Sequence, residues 1–263
     1  GPRQPRSRAV ATGAFGELLE AAEELIEEAE GNGSGFLMPP EGWVPLPTHR
    51  GAAPAYFVRV QNVVCTCATD TDFHPSLAAQ LCHGRYDARV FPAATIPMAW
   101  PFSTVCAFAT GNLVITGARD AVQGLAAGLV FLRTMSRHTH KPYRLFNFHV
   151  ENVVGSAAVG ACLDLERISA EHALDAVFCP EVFAGLSYRP RERPEVPVFR
   201  NGRPVVGVFR KGRLVICGAT SAEHLVQTFL FMLEFLRPYM LLPAAEEEAA
   251  ASDREMEQEE EKE

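Results

Sequence analysis

The chain carries one long segment twice, and this duplication constrains its fold more than any other feature of the sequence. Residues 111–118, GNLVITGA, return as residues 212–219, GRLVICGA. Asn62, within QNVV, likewise returns as Asn152, within ENVV. Copies of about 90 residues are too long for a solenoid unit and indicate a duplicated small domain.

Each copy is predicted to form a strand, a helix, several short strands and a closing helix. The predicted strands lie near 57–66, 88–98, 102–110 and 112–117 in the first copy, and near 147–156, 183–189, 196–201, 204–210 and 213–218 in the second. The predicted helices are HPSLAAQLCHG (74–84), 120–137, DLERISAEHALDAV (164–177) and 221–237. Two such units joined edge to edge would leave one face of the sheet open, with four helices on the other.

Composition changes at both ends of the duplicated region. The predicted domains are an acidic helix with a Pro/Gly-rich linker (1–53), a first repeat (54–145), a second repeat (146–240) and a disordered acidic tail (241–263). The helix of the first arm is predicted over 16–30. Both arms are interpreted either as solubilising surface or as binding segments.

The negative net charge of −8 comes from the two arms, because the duplicated region itself is slightly basic. Residues 54–240 hold 18 Lys/Arg against 14 Asp/Glu, whereas residues 241–263 hold 2 against 10. A mildly basic core fits a polyanion-binding domain. No run of 18 apolar residues predicts a membrane span.

Metal, cofactor and enzyme chemistry find no support in the sequence. The seven cysteines form no C-x-x-C pair and no spaced Cys/His quartet. His138 and His140 are interpreted as surface histidines, because no carboxylate or cysteine accompanies them. With no carboxylate cluster or activated nucleophile either, we expect no metal, no cofactor and no catalysis.

Several ordered motifs resemble the TATA-box-binding protein (TBP) family over roughly residues 57–238, as in a divergent member. They are x-Asn-Val-Val in both copies, Phe91 before Pro92-Ala93, Pro101, Thr104, Phe108, the repeated Gly-Ala motif and VFAGLSYR in the second copy. The resemblance implies an α+β fold, a TBP-like saddle. Two pseudo-symmetric repeats would form one curved antiparallel sheet with four helices on its convex face, and the underside would bind the minor groove of A·T-rich double-stranded DNA.

The resemblance also implies which residues contact bases. Asn62 and Asn152 would donate to the acceptors that A·T pairs present in the minor groove. Thr116 would be a second donor, while its counterpart Cys217 has only a weak S–H donor. The residues expected to press on the groove floor are Val64, Val114, Val154 and Val215. Those expected to wedge between base steps and kink the duplex are Phe91, Phe108, Phe183 and Phe209.

Phosphate contacts are predicted at Arg85, Arg89, Arg119, Arg189, Arg210, Lys211 and Arg213. Arg191, Arg193, Arg200 and Arg203 extend this basic run, which also fits a solvated loop. First-repeat contacts are thinned, because Pro97, Met98, Ala99, Trp100 and Phe102 stand where the family usually has arginines and Asn112 stands where it has a lysine. We therefore expect a shallower salt dependence of binding than in a typical relative.

The resemblance implies protein partners as well. Glu181, before Val182, resembles the acidic position that contacts TFIIB-type factors, and TFIIA-type factors are the second partner class. Cys179 replaces a neighbouring acidic residue, and the segment 120–137 lacks the family's lysines, which indicates changed partners. The implied location is the nucleus, or a viral transcription compartment for a large DNA virus. The oligomeric state stays open.

The sequence is consistent with three functions to different degrees. The first is a transcription initiation factor that bends A·T-rich promoters and recruits TFIIB-type factors. The second is a TBP-related scaffold with weak or nonspecific DNA binding, favoured by the thinned arginines and Cys217 and opposed by the four phenylalanines. The third, an enzyme on a related fold, lacks any catalytic constellation.

Overall fold

The computed structural model describes residues 13–31, 43–45, 57–190 and 204–241. The chain forms two compact units. The first consists of Gly1–Gly42 and Gln61–Asn152, and the second of Trp43–Val60 and Val153–Glu263.

The described residues form five α-helices and ten β-strands, with a 3-10 turn at Arg237–Tyr239. The helices are α1 (Gly13–Gly31), α2 (Pro75–Leu81), α3 (Ala121–Thr139), α4 (Leu165–Glu171) and α5 (Ala222–Leu236). The strands are β1 (Trp43–Pro45), β2 (Phe57–Thr69), β3 (Ala93–Met98), β4 (Ser103–Phe108), β5 (Asn112–Ala118), β6 (Leu145–Ala158), β7 (Ala176–Cys179), β8 (Phe183–Tyr188), β9 (Val205–Val208) and β10 (Arg213–Ala219).

Hydrogen bonding orders the strands β3-β4-β5-β2-β6 in the first unit and β6-β10-β9-β8-β7 in the second, and β1 pairs with β2. β2 and β6 supply residues to both units. The pairs β3–β4, β4–β5 and β2–β5 are antiparallel, as are β6–β10, β10–β9, β9–β8 and β8–β7.

Side chains alternate across the strands of the first unit. On β4, Val105 and Ala107 are buried, whereas Cys106 and Phe108 are part exposed. Helix α3 packs on the buried side, where a Cβ added to Gly124 would lie 2.8 Å from the Sγ of Cys65. The part-exposed side chains therefore form a second face, which we call the open face of the first unit.

The second unit has the same alternation. On β10, Leu214 and Ile216 are buried, whereas Val215 and Cys217 are part exposed. Helix α5 packs on the buried side, where the side chain of Leu225 occupies the space beside Gly155. Val215 and Cys217 thus belong to the open face of the second unit.

The two units make this helix–strand contact with opposite partners. In the first unit the strand carries Cys65 and the helix carries Gly124. In the second unit the corresponding strand residue is Gly155 and the helix residue is Leu225. The glycine is on the helix in the first unit and on the strand in the second. Each contact therefore contains one glycine, which lets the helix approach the strand closely.

Helix α1 packs along α3 within the first unit. Ala22 and Ile26 of α1 are buried together with Leu125 and Ala126 of α3, and Trp100 packs against the same cluster. An ion pair between Glu23 and Arg133 joins the two helices. The apolar stripe of the acidic arm is thus buried, while its remaining face stays polar.

The predicted α+β class, the antiparallel sheet and the repeated order of elements are confirmed. The helices predicted over 16–30, 120–137 and 221–237 correspond to α1, α3 and α5. The first strand of each repeat corresponds to β2 or β6. The strand predicted near 196–201 and the acidic tail lie outside the described residues.

Three predicted boundaries were wrong. Residues 88–90 form a turn and β3 begins only at Ala93, because the carboxylate of Asp87 accepts from the backbone and side chain of Arg89. The helix predicted to reach residue 177 ends at Glu171, and strand β7 follows. β1 lies in the segment interpreted as linker, where Trp43 pairs with Arg59.

Candidate nucleic-acid interface

Each unit presents a pair of phenylalanine rings beside the ends of its strands. The centroids of Phe91 and Phe108 are 5.8 Å apart with an interplanar angle of 69°. Those of Phe183 and Phe209 are 5.6 Å apart, also at 69°. Phe91 and Phe183 are 42% and 50% exposed. The four predicted wedge residues therefore lie together in two matched edge-to-face pairs, one in each unit.

Local structure positions these rings. In the first unit, Asp87 closes the turn before β3, because its carbonyl accepts from the backbone N–H of Phe91 at 3.0 Å. In the second unit, Gly185 makes room for the rings. A Cβ there would lie 2.8 Å from Cε1 of Phe183 and 3.0 Å from Cε1 of Phe209. A side chain at Gly185 would therefore displace one of the rings.

The side chain of Asn62 is held in one orientation. Its Oδ1 accepts from the backbone N–H of Gly117 at 2.7 Å and from Oγ1 of Thr116 at 3.3 Å. Gly117 adopts a φ of 91°, within an irregularity of the β2–β5 pairing. Because an N–H can only donate, these bonds identify the carbonyl end of the amide and leave the amide NH2 as the group available for a ligand.

The second unit repeats the irregularity. The pairing of β10 with β6 shifts between Ile216 and Ala219, and Gly218 has a φ of 91°. Asn152, part buried on β6, corresponds to Asn62. Burial raises the pKa of the Cys217 thiol, so this counterpart of Thr116 stays protonated and is a weak donor at neutral pH.

Four valines also lie on the open faces. The predicted floor contacts Val64, Val114, Val154 and Val215 are all part exposed on strands. Thr66 pairs with Val114 across β2 and β5. β-branched residues of this kind suit a strand surface that becomes dry only on binding.

A depression of about 490 Å³ lies in the first unit beside Phe108. Its polar lining consists of Thr66, Thr110, Asn112, Asn147 and His149. Asn147 has a φ of 52°, an uncommon conformation that Asn tolerates better than most residues. The depression therefore offers hydrogen-bonding groups next to one wedge pair.

Within the described ranges, no three His, Cys, Asp or Glu side chains lie close enough together to hold a metal ion. No helix in that part of the chain is long and apolar enough to cross a bilayer.

Comparison with known proteins identifies the family. The sequence matches the family model described as "Transcription factor TFIID (or TATA-binding protein, TBP)" over residues 57–138 and 147–239. The chain belongs to the TBP family. Membership makes it a TBP-related, DNA-binding transcription factor, as the motifs predicted.

Its relatives in the family are distant. The chain is 27% identical over 186 residues to the TATA-box-binding protein of Pyrodictium occultum, which is 69% of this chain and 88% of that protein. It is 28% identical over 183 residues to TATA-box-binding protein 2 of Arabidopsis thaliana, covering 68% and 86%. Over 200 residues it is 28% identical to mouse TATA box-binding protein-like 2, covering 74% of this chain but only 52% of that protein.

The fold agrees. The structure of Methanococcus jannaschii TBP superposes with a TM-score of 0.56 at 20% identity, covering 69% of this chain and 98% of that structure. At this identity the likeness shows the fold alone. The predicted TBP fold is thereby confirmed.

Some of the basic residues predicted to touch phosphate in this TBP relative are already paired with carboxylates. Arg89, whose side chain is 90% exposed, forms an ion pair with Asp87 at 3.1 Å, and the pKa of Asp87 falls because Arg89 donates to it. Arg210 forms an ion pair with Glu166. DNA phosphate would have to compete with both carboxylates.

The other predicted phosphate contacts differ in exposure. Exposed side chains are those of Arg85, Arg189, Lys211 and Arg213. Arg119 is part buried, and its backbone N–H donates to Oε1 of Gln123. The residues of the basic loop that lie outside the described part of the chain are Arg191, Arg193, Arg200 and Arg203.

Glu181 and Val182, the predicted partner contacts, lie in the turn before β8. Val182 is 84% exposed. The thiol of Cys179 donates to Oε2 of Glu181 at 3.3 Å. Hydrogen bonds from the backbone and from Cys179 lower the pKa of Glu181, so the carboxylate is charged at neutral pH. The Cys179 thiol therefore stabilises the charged form of Glu181, two residues away.

Glu151 is a polar residue of the open face that the sequence reasoning missed. Oγ1 of Thr66 donates to Oε1 of Glu151 at 2.7 Å, so the carboxylate lies over the same face as Thr66. The signal was present in the sequence, because Glu151 precedes Asn152 where Gln61 precedes Asn62.

Proposed function

We propose that the chain binds A·T-rich DNA through the minor groove, bends it, and recruits TFIIB-type and TFIIA-type initiation factors in the nucleus. The observation that carries this proposal is the matched geometry of the two phenylalanine pairs, each at 69° with one ring about half exposed. If the rings served only to pack within each unit, the two pairs would not need the same geometry and a half-exposed ring in each.

The rings act as wedges in this proposal. Inserting an apolar ring between base steps costs a few kcal/mol of unstacking, which the additional contacts with bent DNA offset. Flexible TA steps lower that cost. Preference for A·T-rich DNA then comes partly from deformability, without a hydrogen bond to every base.

Asn62 supports base reading by the open face. With its Oδ1 bound to Gly117, its NH2 can donate to adenine N3 or thymine O2, the acceptors of A·T pairs in the minor groove. Asn152 has the same role in the second repeat. Val64, Val114, Val154 and Val215 would lie against the groove floor, and Thr116 holds Asn62 in place through a hydrogen bond.

The backbone contacts are shared between charged and neutral groups. Arg85, Arg119, Arg189, Lys211 and Arg213 supply cations, while Asn112 and Asn147 supply neutral amides beside Phe108. Each phosphate neutralised by a cation adds to the salt dependence of binding, so a mixed set gives a shallower slope. The mechanism is binding and deformation, without turnover.

A TBP-related scaffold that acts mainly through protein partners is the second candidate. Two observations favour it, because Arg89 and Arg210 are held by Asp87 and Glu166, and because Glu151 places a carboxylate on the open face. Glu181 and the exposed Val182 would then carry the main function.

Competition binding of the full chain separates the two. A TATA duplex is compared with a G·C-swapped duplex near physiological salt, using the wild type, Phe91→Ala/Phe183→Ala and the control Phe102→Ala, an exposed residue of the β3–β4 turn. If the chain is an initiation factor, the wild type should prefer the TATA duplex over the G·C-swapped duplex by more than about tenfold, or about 1.4 kcal/mol. Phe91→Ala/Phe183→Ala should lose this preference, and Phe102→Ala should keep it. Equal, weak binding of both duplexes would favour the scaffold.

A further inference from the structure

The residue before the repeated asparagine differs in charge between the two repeats. The first reads Gln61-Asn62 and the second Glu151-Asn152, and both Gln61 and Glu151 are exposed. A glutamine and a glutamate have nearly the same shape. The difference between the repeats is therefore one of hydrogen-bonding chemistry, an amide that can donate against a carboxylate that only accepts.

The carboxylate of Glu151 is held on the open face of the first unit. Its Oε1 accepts from Oγ1 of Thr66 at 2.7 Å, and Thr66 pairs with Val114, one of the proposed floor contacts. Burial, and to a lesser extent the carboxylates of Asp120 and Glu151, raise the pKa of Cys65 to about 12. Among the described residues no Lys, Arg or His forms an ion pair with Glu151.

Thr66 satisfies only part of this carboxylate. An ionised carboxylate has about four acceptor sites, and Thr66 uses one of them. Water can serve the others while the face is open. Once the face is covered by a ligand, any unsatisfied charge loses that water at a high cost in free energy.

The minor groove offers a carboxylate very little. A·T and T·A pairs present only acceptors there, whereas G·C pairs add one donor, the guanine N2 amino group. A glutamine at this place can donate to A·T acceptors, but a glutamate has a partner only at guanine.

We infer that Glu151 is a specificity-determining residue that selects a G·C pair at one step of an otherwise A·T-rich site. The inference rests on the proposed minor-groove function and deepens it. Because Gln61 occupies the matching place in the other repeat, the selected pair lies on one side of the site only, which gives the bound protein a direction on DNA.

The test uses duplexes in which each pair of an A·T site is replaced in turn by G·C or by inosine·C. Inosine is guanine without the N2 amino group, so the two replacements differ in the minor groove by that donor alone. Dissociation constants are measured for the full chain with wild type, Glu151→Gln and the control Glu234→Gln. Glu234 is exposed on α5 and its substitution changes the charge equally.

We expect the wild type to bind one G·C-substituted duplex about tenfold more tightly than its inosine counterpart, the effect of one good contact to a base edge. Glu151→Gln should lose that difference and bind the all-A·T duplex several-fold more tightly. Glu234→Gln should behave as wild type.

Two results would overturn the inference and can be told apart. If A·T duplexes are preferred overall but Glu151→Gln has the wild-type profile, Glu151 does not read the groove and the proposed function stands. If no duplex is bound in preference to another by any variant, the proposed function fails and this inference fails with it. Unfolding midpoints of the three proteins show whether a variant is folded.

Discussion

Oδ1 of Asn62 lies 2.7 Å from the backbone nitrogen of Gly117, and this one bond decides what Asn62 can offer a ligand. An amide that could flip would present either an acceptor or a donor. Gly117, held at a φ of 91°, donates to the carbonyl end and fixes the NH2 as the free end. The irregular pairing of β2 with β5 thereby fixes the Asn62 amide with its NH2 group as the donor to a ligand.

Asn62→Asp tests this role directly. An aspartate keeps the acceptor for Gly117 but replaces the NH2 with a second, charged acceptor. We expect the affinity for an A·T duplex to fall by about 10- to 100-fold, since one contact to a base edge is worth roughly 1–3 kcal/mol. The measurement is a titration of labelled duplex by fluorescence anisotropy.

Gln227→Glu provides the control, because it adds the same charge at an exposed position of α5. Affinity losses of equal size in both variants would mean that overall charge is responsible, and Asn62 would then have no special role.

The exchanged glycines predict an energetic coupling in the second unit. Gly155→Ala should lower the free energy of unfolding by about 1–3 kcal/mol, because the new methyl group meets Leu225. Leu225→Ala alone should cost about 2–5 kcal/mol through the cavity it leaves. The double variant should cost at least about 1 kcal/mol less than the sum, since the methyl group fills part of the vacated space.

Urea denaturation of the four proteins measures this cycle. Gly16→Ala on α1 controls for the replacement of a glycine by alanine without a steric contact, because a Cβ there would meet nothing within 4 Å. Strict additivity of the two substitutions would contradict the proposed packing.

Two buried thiols predict a loss of stability at alkaline pH. Burial raises the pKa of Cys65 and of Cys67 from 9.0 to about 12. Above pH 9 the unfolded chain ionises these thiols while the folded chain holds them protonated. The contribution of these thiols to the free energy of unfolding is therefore fully present below pH 9 and is lost as pH rises towards 12.

Urea midpoints at pH 8 and pH 10.5 check this expectation. Cys67→Ala should show a smaller decrease than the wild type over this interval. Cys179→Ala, which removes an exposed thiol, should decrease as the wild type does. The same slope for Cys67→Ala and wild type would show that the Cys67 thiol does not contribute.

The duplicated sequence predicted the repeated features of the molecule well. Phe91, Phe108, Phe183 and Phe209 were placed by their matching positions in the two copies, and they lie in two matched pairs. Periodicity likewise predicted the long helices, because three or four turns of regular apolar spacing are a strong local signal.

Features that depend on single local bonds or on distant contacts were missed. The turn at 88–90 depends on Asp87, whose carboxylate accepts from the backbone N–H of Arg89 and so prevents these residues from extending β3. β7 continues a segment with helical spacing, but Ala176 pairs with Tyr188 instead. The packing of Ile26 against Leu125 joins residues far apart in sequence, and no periodicity within α1 identifies its partner.

The proposed function requires the open faces to read the minor groove of A·T-rich DNA. The affinity of the full chain for three duplexes of one site, built from A·T, inosine·C or G·C pairs, tests this requirement. Inosine·C matches A·T in the minor groove but G·C in the major groove. Minor-groove reading predicts that the inosine·C duplex is bound within a few-fold of the A·T duplex. Binding as weak as that of the G·C duplex would contradict it.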